Sequence, residues 1–420
     1  MLATLRQRDF SLLWFAGLIS LSGNWMLQIA VPVVIYQLTG SALAVGGMLL
    51  ATTVPGILFG SVAGVFVDRW ERRRVLMITN VLLAVSILPL LLVVSADMLW
   101  LVYLVSFVQS TLNQFFSPAE NSLLPQLSKP ELLVSANALN ALNNNLARLI
   151  GPALGGVVAL NFGLTGVVIF DVVTYVVAAV LIALIRMKAH PRQSEPSTKR
   201  FDVSKVFVEW REGMQLIWRE RTVRTLFFYN VLTSVGESVI FVLFVPFITS
   251  ILGGDSLHVG GIMSAQAVGG IIGGLLIGSI AKSFKTYRLL GISSLIFGIV
   301  DLALFNYTQF FDGIAIAYLI IMLAGPLTVG IGASYNTLLQ SKVDNAYQGR
   351  VFGALNLTFS LFMLVGIAIA GFTSDRIGIV PVINIQGYVY IVAGIMCLLL
   401  LREKPALQPV MTPELVKSDG

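Results

Sequence analysis

The chain has 420 residues, of which 56% are hydrophobic and only 11% charged, with a mean hydropathy of +0.87. A water-soluble chain carries roughly 25% charge, so this composition excludes folding in water as the main problem the sequence solves. The net charge of +6 does not signal nucleic-acid binding, because the basic residues are scattered over short stretches between apolar runs, as membrane orientation requires.

Taken in chain order, apolar runs bounded by charge or turn residues predict twelve helical spans, since a bilayer is crossed by ~20 apolar residues. They cover 10–36, 42–67, 75–94, 99–117, 138–160, 164–185, 225–251, 258–281, 288–307, 313–340, 351–374 and 380–401. The first run is too long for the apolar part of a signal peptide and reads as the first span. The polar stretch 186–224, with ten Lys/Arg and five Asp/Glu, divides the chain. Expected units are 1–186, a six-helix bundle; 187–224, a cytoplasmic segment; 225–402, a second six-helix bundle; and 403–420, a cytoplasmic tail. With the N-terminus in the cytoplasm, 25 of 27 Lys/Arg fall on that side. The expectation is a multi-pass cell-membrane protein with both termini inside. Val206, Phe207, Trp210, Met214, Ile217 and Trp218 recur at helical spacing among charged residues. This stretch is expected to lie as an amphipathic helix on the inner membrane surface.

Two related halves are expected. Gly151-Pro152-Ala153-Leu154-Gly155-Gly156 in helix 5 and Gly366-Ile367-Ala368-Ile369-Ala370-Gly371 in helix 11 hold equivalent places. Each is followed at the same distance by a short loop, Asn161-Phe162-Gly163 or Arg376-Ile377-Gly378.

Between helices 2 and 3 the chain reads Gly60, Gly64, Asp68, Arg69, Trp70, Glu71, Arg72, Arg73, Arg74. Gly60 and Gly64 make a small-residue face for close helix approach. The loop resembles the signature G-x-x-x-D-R-x-G-R-R of the major facilitator superfamily, with Glu71 in place of a glycine. The Gly151, Pro152, Gly155 and Gly156 run resembles the helix 5 motif of exporters in that superfamily. Phe115-Phe116-Ser117-Pro118-Ala119, Leu124-Pro125, Ala136-Asn137 and Gln348-Gly349-Arg350-Val351-Phe352-Gly353 resemble its drug:proton antiporter branch, which holds macrolide-efflux proteins and the enterobactin exporter. The resemblance implies an all-α membrane fold of two pseudo-symmetric six-helix bundles. Helices 1, 4, 7 and 10 surround a central cavity, 2, 5, 8 and 11 flank it, and 3, 6, 9 and 12 lie outside. It implies a cytoplasmic gate in which Asp68 faces the start of helix 11 near Arg350, and Arg72 or Arg73 pairs with Glu120.

Ionisable and polar groups inside spans are costly and point to function. Glu237 lies mid-span in helix 7 and is the candidate for carrying protons. Polar stripes mark cavity-lining candidates: Asn24 and Gln28 in helix 1, Gln109 and Asn113 in helix 4, Arg148 in helix 5, Asn230 and Ser234 in helix 7, Tyr335 and Asn336 in helix 10. Given the implied layering, Asp171 and Asp301 are expected to be structural.

The sequence contains no G-x-x-x-x-G-K-[ST] phosphate loop, which argues against ATP as direct energy source. His190, His258 and the single Cys397 assemble into no metal cluster, catalytic triad or disulfide. Catalysis and cofactors are therefore not expected. The expected function is export of amphiphilic small molecules in exchange for protons by a monomer in the lipid bilayer. The alternatives are an exporter of a native metabolite, siderophore or lysolipid, and a receptor that uses the fold without turnover.

Overall fold

In a bilayer no water is available to the backbone, so each span must satisfy its own hydrogen bonds and forms a helix. The computed structural model describes residues 2–186, 203–280, 284–343 and 345–401. Its spans are α1 (Arg8–Thr39), α2 (Ala42–Arg69), α3 (Arg72–Ile87), α4 (Leu99–Leu127), α5 (133–162) and α6 (164–183). They continue with α7 (Arg221–Pro246), α8 (Ser256–Ile280), α9 (Thr286–Asn306), α10 (Ala315–Lys342), α11 (Asn345–Ile377) and α12 (Ile379–Leu400). Ten described helical stretches are long and apolar enough to cross a membrane, and the 54-residue stretch Pro130–Ala183 holds both α5 and α6. Exposed Leu92, Trp100, Phe162, Leu275, Leu323 and Leu399 give the outside the apolar character that lipid demands.

Glycine sets the sharpest corners. Gly40 ends α1 in the left-handed region (φ 61) and donates its N–H to the Tyr36 carbonyl, so that only Gly40 and Ser41 separate α1 from α2. Gly163 (φ 62) turns α5 into α6, and Gly378 (φ 91) turns α11 into α12. These are the two short loops that the sequence places at equivalent positions.

Several helices run past the predicted spans. The prediction ends α4 at 117, but the helix continues through Pro118 and Pro125 to Leu127. The proline preceding an inner-end stretch does not stop a helix whose neighbours restore packing. At the loop between α2 and α3, Trp70 and Glu71 both hold ordinary negative φ angles. Glu71 therefore needs no glycine there, and its carboxylate pairs with Arg74 instead.

Four large apolar clusters fill the interior. Phe10, Leu13, Val75, Leu76, Phe116, Leu123, Ala178 and Ile182 pack the end of the first half that holds the start of α1. Ile35, Val45, Leu83, Leu90, Val102 and Tyr175 pack its opposite end. In the second half, Leu226, Leu290, Leu339, Val351, Leu355 and Cys397 form the cluster near the start of α7. The cluster at the other end, around Val239, Leu243, Phe247, Phe305 and Ile367, also takes in Ile29, Val33 and Ala42 from α1 and α2. The halves thus share core at the ends of α1, α7 and α11 away from the chain's N-terminus.

The predicted amphipathic helix is present as Val203–Arg219, but its location differs from expectation. Ile217 is fully buried, and Trp210 and Met214 pack with it against Val351, Leu355 and Leu226. An ideal Cβ on Gly213 would sit 2.5 Å from the Arg350 carbonyl oxygen. The apolar face is spent on α7 and α11, so this helix is docked on protein rather than simply laid on lipid. Only Glu220 separates it from α7, and the Glu220 carboxylate caps that helix through the Val223 N–H at 2.9 Å.

Candidate functional site

The helix 5 motif has two faces. Gly151 and Gly155 point within the first half: a Cβ on either would meet Trp25 and Ser22, or Met26, at 2.4–2.7 Å. Pro152 and Gly156 point across the divide. A Cβ on Gly260 of α8 would lie 2.1 Å from the Pro152 carbonyl oxygen, and one on Gly156 would lie 2.7 Å from that of Ser256. The four motif residues therefore bring α1, α5 and α8 to backbone contact, which only missing side chains permit.

Further contacts join the halves. Ser264 of α8 donates to the Leu149 carbonyl at 2.8 Å, and Arg148 reaches Gln266 at 3.5 Å. Tyr36 and Ser250 share a hydrogen bond at 2.9 Å, and Ser41 approaches Asp375 at 3.4 Å. A Cβ on Gly46 would touch Ile367 at 3.3 Å, and one on Gly371 would meet Leu43 at 2.8 Å. These contacts lie at one end of the bundles, from the α1–α2 turn toward the middle of the helices.

Near these contacts lie two side chains of opposite charge. Arg148, exposed near the middle of α5, lies within electrostatic reach of Glu237 on α7. Glu237 accepts a hydrogen bond from the Tyr390 hydroxyl of α12. Asp301 of α9, 3% exposed, is close enough to Glu237 and Tyr390 to interact with both. Tyr229 bonds Ser294 at 2.7 Å and stacks beside Tyr335 at 5.8 Å. Asp301 thus lies in the neighbourhood of Glu237. Asp171 is fully buried against Gly23 of α1, held by Thr174 at 2.9 Å.

The remaining candidates divide. Gln28 is exposed and bonds the partly exposed Asn24 at 3.1 Å. Asn113 is partly exposed, and Asn336 is exposed on α10. Gln109 turns away from any cavity: its amide donates to the Leu83 carbonyl and the Ser86 hydroxyl at 2.9 and 2.8 Å, and its oxygen meets Tyr175 at 3.4 Å. Asn230 bonds the Leu355 carbonyl of α11 at 3.0 Å, and Ser234 is fully buried on its own helix. A buried amide or hydroxyl takes whichever acceptor lies within reach: Gln109 and Asn230 tie helices together, while Ser234 bonds back to the Val231 carbonyl of its own helix.

At the expected gate, Gly64, Asp68 and Arg69 have surroundings outside the described residues. Arg73 donates to the Ile182 and Ala183 carbonyls at the end of α6, a cation on the negative end of a helix, rather than to Glu120. Glu120 lies instead among Gly17, Trp14 and Asn140 of α1 and α5. Arg350 pairs with Glu212 of the docked helix at 3.1 Å and lies over the Tyr347 ring.

Two bundles of apolar helices that meet at one end through α5 with α8 and α2 with α11 define a polytopic membrane protein. The sequence matches the profile described as Major Facilitator Superfamily over residues 13–366 and 226–415, and the chain belongs to that family. It is 25% identical over 392 residues to macrolide efflux protein A of Streptococcus pyogenes, covering 92% of this chain and 95% of the relative. It is 25% identical over 325 residues to the putative bacilysin exporter BacE of Bacillus subtilis, covering 76% and 77%. Among solved structures, a bacterial homologue of the iron transporter ferroportin in an inward-facing state superposes with a TM-score of 0.74 at 15% identity, over 93% of this chain and 98% of that one. A bacterial homologue of the lysosomal transporter Spinster, also inward-facing, gives 0.67 at 14% identity, over 93% and 95%.

Proposed function

We propose that this transporter exports amphiphilic small molecules in exchange for protons, by alternating access. The observation that carries the reading is the placement of Glu237. It is a carboxyl well inside α7, bonded to Tyr390 within its own half and within electrostatic reach of Arg148 of the other half. A charge pair across the divide changes its separation whenever the halves rock. The free energy of protonating Glu237 is then tied to conformation, which is what coupling requires. The outer-side contacts of α5 with α8 and α2 with α11 support a state open toward the cytoplasm, where cargo would enter. The similarity to macrolide efflux protein A supports export and a large amphiphilic cargo.

The test is efflux of a panel of dyes and antibiotics from cells, with and without an uncoupler. Export of at least one compound that the uncoupler stops is expected. Glu237→Gln, which fixes the neutral form, is expected to keep substrate binding and lose uphill export in proteoliposomes with an imposed pH gradient. Export that persists under the uncoupler, or normal pumping by Glu237→Gln, would remove the proton from the scheme.

A further inference from the structure

The two halves can be laid on one another through their turn glycines. Gly163 and Gly378 are 215 positions apart. The same offset carries Tyr175 to Tyr390, Asp171 to Gln386, Ser86 to Asp301 and Gln109 to Ala324. For the first helix of each half the packing itself gives the register. A Cβ on Gly23 would meet Asp171, and one on Gly236 would meet Gln386, so Gly23 matches Gly236 and Asn24 matches Glu237.

The comparison exposes an asymmetry. In the first half Tyr175 points at Gln109, which in turn holds Ser86. One amide and two hydroxyls satisfy one another, and the acid near Tyr175, Asp171, is held by Thr174 of its own helix at 2.9 Å. In the second half the amide is missing, because Ala324 stands in its place. The tyrosine turns instead to a carboxyl from α7, and the serine is replaced by Asp301. Asp301 Oδ2 is buried with no hydrogen-bond partner among the described residues. Tyr390, bonded to Glu237, makes an edge-on contact at 4.6 Å with Phe297, one helical turn before Asp301 on α9. The charged and titratable groups facing this place are Arg148 from α5, Tyr229 from α7 and Tyr390 from α12.

We infer that Asp301 and Glu237 form one proton-binding unit with Tyr390 between them. This rests on the proton-exchange reading above. Two carboxyls sharing an enclosed site do not ionise independently, and their protons leave in steps that belong to the pair. When Arg148 approaches, a single negative charge is favoured and one proton leaves; when it withdraws, that proton returns. Asp301 is the group that keeps the second proton available without itself facing the divide.

The experiment is a pH titration of the purified full-length protein in lipid, without substrate, followed by the infrared C=O stretch of protonated carboxyls. Two linked steps are expected in the unmodified protein. Asp301→Asn and Glu237→Gln should each remove one step and move the midpoint of the other by about one pH unit or more. Tyr390→Phe, which keeps the ring on Phe297, should move the Glu237 step and remove neither. The pair is overturned if the remaining acid titrates at an unchanged midpoint in both single variants. Should Asp301→Asn not fold, an unmoved Glu237 step in Tyr390→Phe overturns it equally. Linked steps with uncoupler-insensitive export would leave the pair standing and remove proton exchange. Independent steps with uncoupler-sensitive export would do the reverse.

Discussion

Gly260→Ala places one methyl group where α8 meets α5. The new Cβ would lie 2.1 Å from the Pro152 carbonyl oxygen, whereas carbon and carbonyl oxygen approach to ~3.3 Å at closest. The obstacle is backbone, so no side-chain rotation relieves it, and α5 and α8 must separate by about 1 Å. Overpacking of this kind costs roughly 1–3 kcal/mol. Because the two helices belong to different halves, the cost falls on the state in which their outer ends touch and is absent once they part. The ratio of outward-open to outward-closed molecules should therefore rise by about 5- to 150-fold. Gly155→Ala is the control, because its Cβ would collide with Met26 at 2.7 Å inside the first half and so burdens both states alike. The assay is a spin-label distance between cysteines replacing Phe162 and Phe311, both well exposed, in a Cys397→Ser background. A longer distance is expected to dominate in Gly260→Ala only. An unchanged distribution, or the same change in Gly155→Ala, would refute the argument that this contact closes the outer side.

Asp68→Asn is expected to lower transport several-fold at near-normal expression, since the family signature implies a gate carboxylate opposite a helix N-terminus, an arrangement worth about 0.3–1 kcal/mol; full transport would deny the gate its acid. Asp255, just before α8, accepts from the His258 N–H at 3.1 Å and meets its ring at 2.7 Å. Partial burial pushes its carboxyl upward, but the His258 hydrogen bonds outweigh this and hold it below the usual range. Its contribution is therefore present above about pH 4, the ordinary Asp value, and is lost as pH falls through the lower folded value. Asp255→Ala should cost about 1 kcal/mol at pH 7 in thermal unfolding, and less near pH 3; an equal cost at both would contradict the carboxylate as the cause. Cysteines at Ser194 and at Phe311 should react with an impermeant reagent from opposite sides of the membrane, and external labelling of position 194 would reverse the orientation.

The spans were legible because each is a run of apolar residues, and the docked helix because Trp210, Met214 and Ile217 recur at its period. Periodicity names the polar face of a helix but not the neighbour it meets. Gln109 and Asn113 sit four apart on the α4 stripe, yet Gln109 is consumed by Ser86 and Tyr175 while Asn113 stays partly exposed. Arg73 has the same limitation: its loop was recognisable, but its acceptors lie more than a hundred positions away on α6. The Asp301–Glu237 pairing depends on which side of α9 faces α7, and that is fixed by Gly298 packing on the Gly387 carbonyl. As an acid inside a span Asp301 stands out in the sequence, and the repeat offset adds that it takes the place of Ser86 in the first half.

The segment joining the bundles is not shared evenly between them. Val203–Arg219 is anchored to α11 through Gly213 and the Glu212–Arg350 pair, and it runs into α7 across the single residue Glu220. A polypeptide cut between 187 and 202 would leave this helix with the C-terminal piece, already seated. The two pieces, made from separate genes, would each carry a complete bundle, and covalent continuity between them would be dispensable for assembly.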